Sequence, residues 1–454
     1  MSKTRGLRSL AARQVVREKK IEASQWHCCN TDYTTMESIS RHVYACHELD
    51  IAAWETRLKE QRQGSMSCSS SESDMAAFQR RRAPKGSSDP ISVECKCNVD
   101  ESCVILFYKY TRVNDPSYYA REHQERCEQL DLQGKVRIAN EGINITLAGK
   151  QVDIDAYLDW IIGTDLFTDD ERARFIKTHP DHTKHRYTFF KPSPGCRHVF
   201  ADLSVKVVKE ICPLGRPDLI GVEQLLNDPM QSSGKLPPAE FHDMLLEHAT
   251  NPDTIVLDTR NYYESRIGAF KGAKTPAIRK FGRFPDYVDR NRDVLQGKTI
   301  FTYCTGGIRC EKATAYMRQA LSKDTQIFML DGGIHNYLEW CKANGVGQKN
   351  NNDDKEPLWI GKNYVFDGRQ GLALEETETR QILGKCQRCN QPWDDYRKCS
   401  STHCHLLILY CPSCIPIHEN AYCCQDCPQG IKGEDGVCGC ERQRRQEEMK
   451  PLCV

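Results

Sequence analysis

Long apolar runs are missing from this 454-residue chain. None approaches the roughly 20 residues that a membrane span needs, so the sequence reads as a soluble protein with no membrane partner. Excess charge of one sign is missing as well. Lys and Arg total 63 against 62 Asp and Glu, so no global basic field advertises nucleic acid. A nucleic-acid site must therefore rest on local patches. No secretory signal is evident, which removes the usual setting for a disulfide framework. No motif for a nucleotide cofactor is evident either.

Cysteine, by contrast, is plentiful. Twelve of the 25 cysteines lie between Cys386 and Cys453, and repeated C-x-x-C pairs favour metal over disulfides. A reducing compartment, the cytoplasm, suits such a chain. Arg5, Arg8, Arg13 and Arg17 precede the first acid, Glu18, a composition that also fits a mitochondrial presequence. The alternative is a basic, partly helical tail over residues 1–25.

Composition divides the rest. Residues 26–50 form a small module, and 51–93 a helical and then disordered linker. The stretch from Gly64 to Pro90 lacks apolar periodicity and cannot offset its ordering entropy. Within 94–216, Val104–Tyr110 reads as a strand, followed by a helix through Leu130. Two strands over Lys135–Gly149 turn at Asn140–Gly142, Asp153–Ile162 is helical, and Leu203–Ile211 is a last strand. That β-α-β-β-α-β order predicts a ferredoxin-like α+β domain. Residues 237–347 alternate helices with the strands Thr254–Asp258, Thr299–Tyr303 and Gln326–Leu330, which predicts a parallel α/β sheet with ligands at the strand C-terminal ends. A polar break over Gln348–Lys355 precedes a Cys-rich module at 384–430 and a tail at 431–454.

The chemistry concentrates at Cys304. The strand ending at Tyr303 delivers it into a tight loop, Thr305, Gly306, Gly307 and Ile308, which opens a helix. Convergent backbone N–H groups at a helix start stabilise an anion, and here that anion is the Cys304 thiolate. Arg309 adds a cation for the thiolate or for substrate. The expected intermediate is a Cys304 persulfide; the bland alternative is an inert buried cysteine. Cys310, at the far rim of the loop, either resolves an oxidised Cys304 as a disulfide or merely donates to it. Asp258 and Arg260 read as a loop-tying ion pair, and Glu311 as a helix-start acid.

Cys386, Cys389, Cys399, Cys404, Cys411, Cys414, Cys424 and Cys427 supply eight thiolates, enough for two structural zinc sites. One partition groups Cys386, Cys389, Cys411 and Cys414, and then Cys399, Cys404, Cys424 and Cys427. His403, His405 and Cys423 are alternative ligands. Near the N-terminus, Cys29, His42, Cys46 and His47 have the closing intervals of a degenerate C₂H₂ finger. Trp26 occupies the place of its first cysteine, so His27 or Cys28 must substitute. For RNA, the stretch Arg174, Lys177, Lys184, Arg186, Lys191 and Arg197 interleaves Tyr187, Phe189 and Phe190 in what reads as loops.

These motifs also carry a resemblance. Asp258-Thr-Arg260, Glu264, Gly268 and Gly272-Ala273 resemble the D-x-R…E…G…GA signature of rhodanese domains. The run from Cys304 to Arg309 resembles their C-x-x-G-x-R loop, and Leu330–Ile334 their closing strand and turn. The rhodanese pattern usually carries Ser or Thr where Cys310 stands. The run Tyr303–Ala313, the Asn140-Glu-Gly-Ile-Asn144 motif with Ala148-Gly149, and Val205–Ile211 with Leu214-Gly215 are similar to the TrhO/YceA family of bacterial tRNA wobble-uridine hydroxylases. The resemblance spans residues 100 to 430 or so and implies tRNA as partner and oxygen-dependent hydroxylation to 5-hydroxyuridine. Two further readings stand beside it: a sulfurtransferase taking sulfane sulfur from a donor such as thiosulfate onto Cys304, and a non-enzymatic zinc-rich scaffold.

Overall fold

The computed structural model describes residues 11–12, 15–16, 18–22, 25–64, 97, 101–175, 180–228, 234–347, 356–374, 381–404, 406–416 and 419–452. The chain forms two compact units, 1–76 and 77–454.

In the first unit, β1 (Lys20–Glu22), β2 (Gln25–Cys28) and β3 (Thr31–Tyr33) form an antiparallel sheet, followed by α1 (Met36–Cys46) and α2 (Glu48–Gly64). Thr35 caps α1 by accepting from the Ser38 N–H. Ala11, Ala12, Val15 and Val16 are buried in one cluster with Trp26, Ile39, Val43 and Ile51. The expected basic tail therefore contributes core from residue 11 onward, because its small apolar residues recur at helical spacing between the arginines. The helical part of the linker is α2; the disorder expected from residue 65 to 93 lies outside the described residues.

The second unit opens with β4 (Ser102–Tyr110), α3 (Pro116–Gln129), β5 (Gln133–Ala139), β6 (Gly142–Lys150) and α4 (Gln151–Ile162). Then come α5 (Pro180–Phe190), β7 (Ser193–Pro194) and β8 (Leu203–Val207). The sheet order is β7-β4-β6-β5-β8. Ile143, Ile145 and Leu147 alternate along β6 and are buried in one core with Tyr119 and Cys127 of α3 and Ile154 and Tyr157 of α4. The β-α-β-β-α-β order is as read, with two differences. The last strand stops at Val207, short of Ile211, and runs parallel to β5; the edge beside β4 is the two-residue β7. Beyond Val207 the chain leaves the sheet, and the Ile211 N–H donates to the Glu141 carboxylate at 2.7 Å. Second, α5 fills part of the stretch expected as RNA-binding loop. Phe190 is buried in the core with Phe189 against it, and buried Arg186 pairs with Asp159 at 2.8 Å, so these three pack the domain, while Arg174, Lys184 and Tyr187 are exposed.

Next come β9 (Lys235–Leu236), α6 (Pro238–Glu247), β10 (Thr254–Asp258), β11 (Gly268–Phe270), α7 (Phe284–Arg290), β12 (Thr299–Tyr303), α8 (Ile308–Ala320), β13 (Gln326–Leu330) and α9 (Gly333–Ala343). The parallel sheet is ordered β10-β12-β13-β9. At two residues, β9 is too short for periodicity to register. Strand β12 is central and buried from Ile300 to Tyr303, as parallel strands covered on both faces are. Cys304 stands at its C-terminal end, where such sheets bind ligands.

The C-terminal region contains β14 (Trp359–Gly361), paired with β11, the hairpin β15 (Asn363–Tyr364) and β16 (Gly371–Leu372), the hairpin β17 (Tyr396–Lys398) and β18 (Leu407–Leu409), and α10 (Gly439–Met449). The expected tail at 431–454 thus contains a docked helix. Arg283 bonds Glu448 at 2.9 Å, Arg279 lies 3.4 Å from Glu441, and Arg290 donates to the Glu448 carbonyl at 3.0 Å. An Arg/Glu helix held by ion pairs looks, in sequence, like a solvated face. No helix among the described residues is long and apolar enough to cross a membrane.

Candidate active site

Cys304 is 1% exposed and sits under the loop that starts α8. Gly307 takes φ 101°, a conformation favouring glycine, and its N–H donates to the Cys304 sulfur at 3.1 Å. From the other side, the Ile334 and His335 N–H groups donate to the carbonyls of Cys304 and Thr305 at 2.9 and 3.1 Å, pinning the loop. Burial alone would push the Cys304 thiol up. The Cys310 thiol, the Arg309 guanidinium and the backbone N–H groups of Cys310 and Arg309 outweigh it and hold Cys304 at about 5. Burial and the adjacent Cys304 charge push Cys310 the other way, well above its ordinary value. Of the two thiols, Cys304 therefore carries the charge and Cys310 keeps its proton.

Arg309 is not free to reach substrate. Glu264, fully buried, grips it through two parallel bonds of 2.6 and 2.7 Å, and the Thr305 hydroxyl accepts from it at 3.1 Å. Glu264 entered the sequence reading only as a signature position; this grip is what that position does. Asp258 and Arg260 are both fully buried, 2.7 Å apart, and Arg260 also donates to the Gly268 carbonyl. They tie β10 to β11. Glu311 does more than face a helix start: it accepts from Tyr108 at 2.9 Å and pairs with Lys235 at 2.5 Å.

The Asn140–Asn144 motif locks two domains together. Lys312, in the first turns of α8 and fully buried, pairs with Glu141 at 2.9 Å and Glu210 at 2.7 Å. Asn144 donates to the Ile211 carbonyl at 3.0 Å. That contact brings β4–β6 over the Cys304 loop and encloses a cavity of about 630 Å³, within the range of ligand pockets. Cys304 lines it, as do Tyr108, Tyr263 and Phe366, the last 48% exposed. Lys135, Arg137, Arg279, Lys280, Arg309 and Arg369 line it too, against one carboxylate, Asp367, which is itself bonded to Arg369 at 2.6 Å. Arg279 and Lys280 belong to a local basic run after Pro276, whereas the rest of this cationic lining is drawn from segments more than 200 residues apart and has no local signal in the sequence.

Cysteines gather in several groups that could hold a metal. Cys386, Cys389, Cys411 and Cys414 come together as expected, with Cys389 and Cys411 3.6 Å apart. Burial raises Cys386, but the N–H groups of Cys389, Cys411 and Arg388 bring it down to about 6. The second expected group is altered. Cys423, not Cys424, stands with Cys399, Cys404 and Cys427, and Cys424 joins Cys423, Cys427 and Cys438. Spacing could not choose between adjacent cysteines. His403 is in neither group, and His405 lies outside the described residues. In the first unit Cys28, Cys29, His42 and His47 form the group, while Cys46 is exposed and outside it. A further trio, Cys97, Cys196 and His198, was missed; Cys196-Arg-His198 was its visible signal.

The UPF0176 acylphosphatase like domain family matches residues 102–211, the Rhodanese-like domain family 238–339 and the Rhodanase C-terminal family 360–428. The tRNA uridine(34) hydroxylase of Enterococcus faecalis is 33% identical over 307 residues, covering 67% of this chain and 84% of that protein. That of Listeria welshimeri is 34% identical over 307 residues, covering 67% and 83%. Rhodanese-like domain-containing protein 6 of Arabidopsis thaliana is 32% identical over 345 residues, covering 73% of this chain and 53% of that protein.

Proposed function

Because this chain belongs to the tRNA uridine(34) hydroxylase family, we propose that it hydroxylates the wobble uridine of tRNA with the Cys304 thiolate as the reactive group. The observation that supports this most is a thiolate held at about 5 at the wall of a cation-lined cavity. The cations suit the phosphates of an RNA loop, and Phe366 and Tyr263 offer faces on which an unstacked base can lie. Uracil C6 is an alkene carbon conjugated to a carbonyl, so a thiolate adds to it. The addition makes C5 an enolate carbon, which takes an electrophilic oxygen. Loss of the C5 proton and departure of Cys304 then restore the ring and the thiolate. The net change, C5–H to C5–OH, is a two-electron oxidation. With molecular oxygen as oxidant, the second oxygen atom leaves as water, its two electrons and two protons coming from a pair of donor thiols that leave as a disulfide. Cys310 and the Gly307 N–H stabilise the departing thiolate, and Glu264 holds Arg309 where its charge does the same.

The C-x-x-C groups are read as zinc sites of structural type, since four thiolates close the coordination shell. The compartment is read as the cytoplasm, with mitochondria as the alternative that the arginine-rich N-terminus raises. 5-Fluorouridine in the wobble position tests the chemistry, because C5 then has no proton to lose. A covalent tRNA adduct mapping to Cys304 is expected, and its absence under turnover conditions would refute addition at C6. The same thiolate nest also suits a Cys304 persulfide and sulfur transfer. Cyanide-labile sulfur turning over on Cys304, without any adduct, would favour that second reading.

A further inference from the structure

The two cysteine groups near the C-terminus share members. Cys399, Cys404, Cys423 and Cys427 form one tetrad, and Cys423, Cys424, Cys427 and Cys438 the other. The shortest sulfur–sulfur distances within each tetrad are close to the edges of a coordination tetrahedron, and Cys404 and Cys438, one from each tetrad, are also 3.9 Å apart, so the six sulfurs form one continuous cluster. Cys423 lies 3.7 Å from Cys404, 3.7 Å from Cys438 and 3.9 Å from Cys424, and Cys424 lies 3.9 Å from Cys427. A tetrahedron with metal–sulfur bonds of about 2.3 Å has edges of about 3.8 Å. The shared edge, Cys423 to Cys427, is shorter at 3.3 Å, as expected where two metals pull on the same pair of sulfurs. Two tetrahedral ions need eight ligand positions, and six thiolates fill them only when two of them bridge.

We propose that Cys399, Cys404, Cys423, Cys424, Cys427 and Cys438 form a binuclear zinc cluster, with Cys423 and Cys427 bridging the two ions. The neighbouring Cys440 thiol donates to the Cys423 carbonyl at 2.8 Å and belongs to neither tetrad. Two Zn²⁺ and six thiolates make a unit of net charge −2, so any ligand still protonated loses its proton on binding. Cys438 is the N-cap residue of α10, where the helix start favours its thiolate. The cluster thereby fastens the start of α10, whose Glu441 and Glu448 engage Arg279 and Arg283. Arg279 lines the Cys304 cavity, so metal loading here sets the position of one wall of that site.

The test uses full-length protein loaded with zinc. X-ray absorption should show a metal–metal vector at about 3.2 Å, the spacing of two ions astride the shared edge with bonds of about 2.3 Å. By native mass spectrometry, Cys424→Ser and Cys438→Ser should each bind at least one zinc fewer than wild type. Wild-type zinc content in both variants would leave a single ion on Cys399, Cys404, Cys423 and Cys427 and overturn the proposal. Absence of any metal–metal vector in the fully loaded wild type would overturn it too, whatever the variants do.

Discussion

Replacing Cys310 with alanine removes the thiol that lowers Cys304 but leaves the backbone N–H groups in place. A hydrogen bond to a charged group contributes about 1.5–3 kcal/mol. At about 1.36 kcal/mol per pKa unit, Cys304 should therefore rise by about 1–2 units. From a starting value of about 5, the thiolate fraction at pH 7 would fall from ~99% to between ~50% and ~90%. The assay is the rate of iodoacetamide alkylation at Cys304 against pH, read by peptide mass spectrometry. The wild-type midpoint should lie near the value given above, and the alanine midpoint 1–2 units higher by the same estimate. Cys310→Ser should stay near wild type, because a hydroxyl also donates. Stability follows with a definite sign. The folded Cys304 value lies below the ordinary 9.0, so its ionisation stabilises the fold most at pH 9 and ceases to do so as pH falls through about 5. At pH 7 roughly two units are realised, about 3 kcal/mol in wild type and less in Cys310→Ala. Urea midpoints should thus climb more steeply between pH 5 and pH 8 in wild type. An unchanged alkylation midpoint in Cys310→Ala would refute the role given to that thiol.

Other consequences can be measured directly. Lys312→Met leaves Glu141 and Glu210 facing each other without their cation and should cost about 3–5 kcal/mol in denaturant unfolding; a loss under 1 kcal/mol would mean that the domains are held otherwise. Glu264→Gln strips the buried Arg309 of its carboxylate and should cost about 3–5 kcal/mol while raising the Cys304 alkylation midpoint, since a loosened guanidinium no longer sits by the sulfur. Phe366→Ala should weaken binding of an anticodon stem-loop by about 1–3 kcal/mol if a base stacks there, with thermal stability unchanged.

What the sequence disclosed follows from the range of the interactions. The strand–loop–helix around Cys304 is local: buried strand, glycines, helix start and Arg309 lie within a dozen residues, and each has a compositional signature. The sheet strands were likewise visible, most of them as short apolar runs and Leu203–Ile211 by alternation. The pairing of β8 with β5 was not, because register across the chain leaves no mark within a single strand. The Glu141–Lys312–Glu210 lock and the cationic cavity come from residues brought together only by folding, and Glu141 alone reads as an ordinary turn acid. Helix α5 reads as loop in the sequence because His and Lys residues interrupt its apolar face, although Phe190 is buried. Cysteine spacing located the metal module but could not separate Cys423 from Cys424, since adjacent residues differ by direction and not by position.

Wobble-position nucleosides from cells lacking this protein, rescued with wild type or with Cys304→Ala, test the central claim most directly. Mass spectrometry of the anticodon fragments should find 5-hydroxyuridine restored by wild type and absent with Cys304→Ala at equal protein levels. Equal restoration by both, or no change on removing the protein, would contradict the assignment of the Cys304 thiolate to uridine hydroxylation.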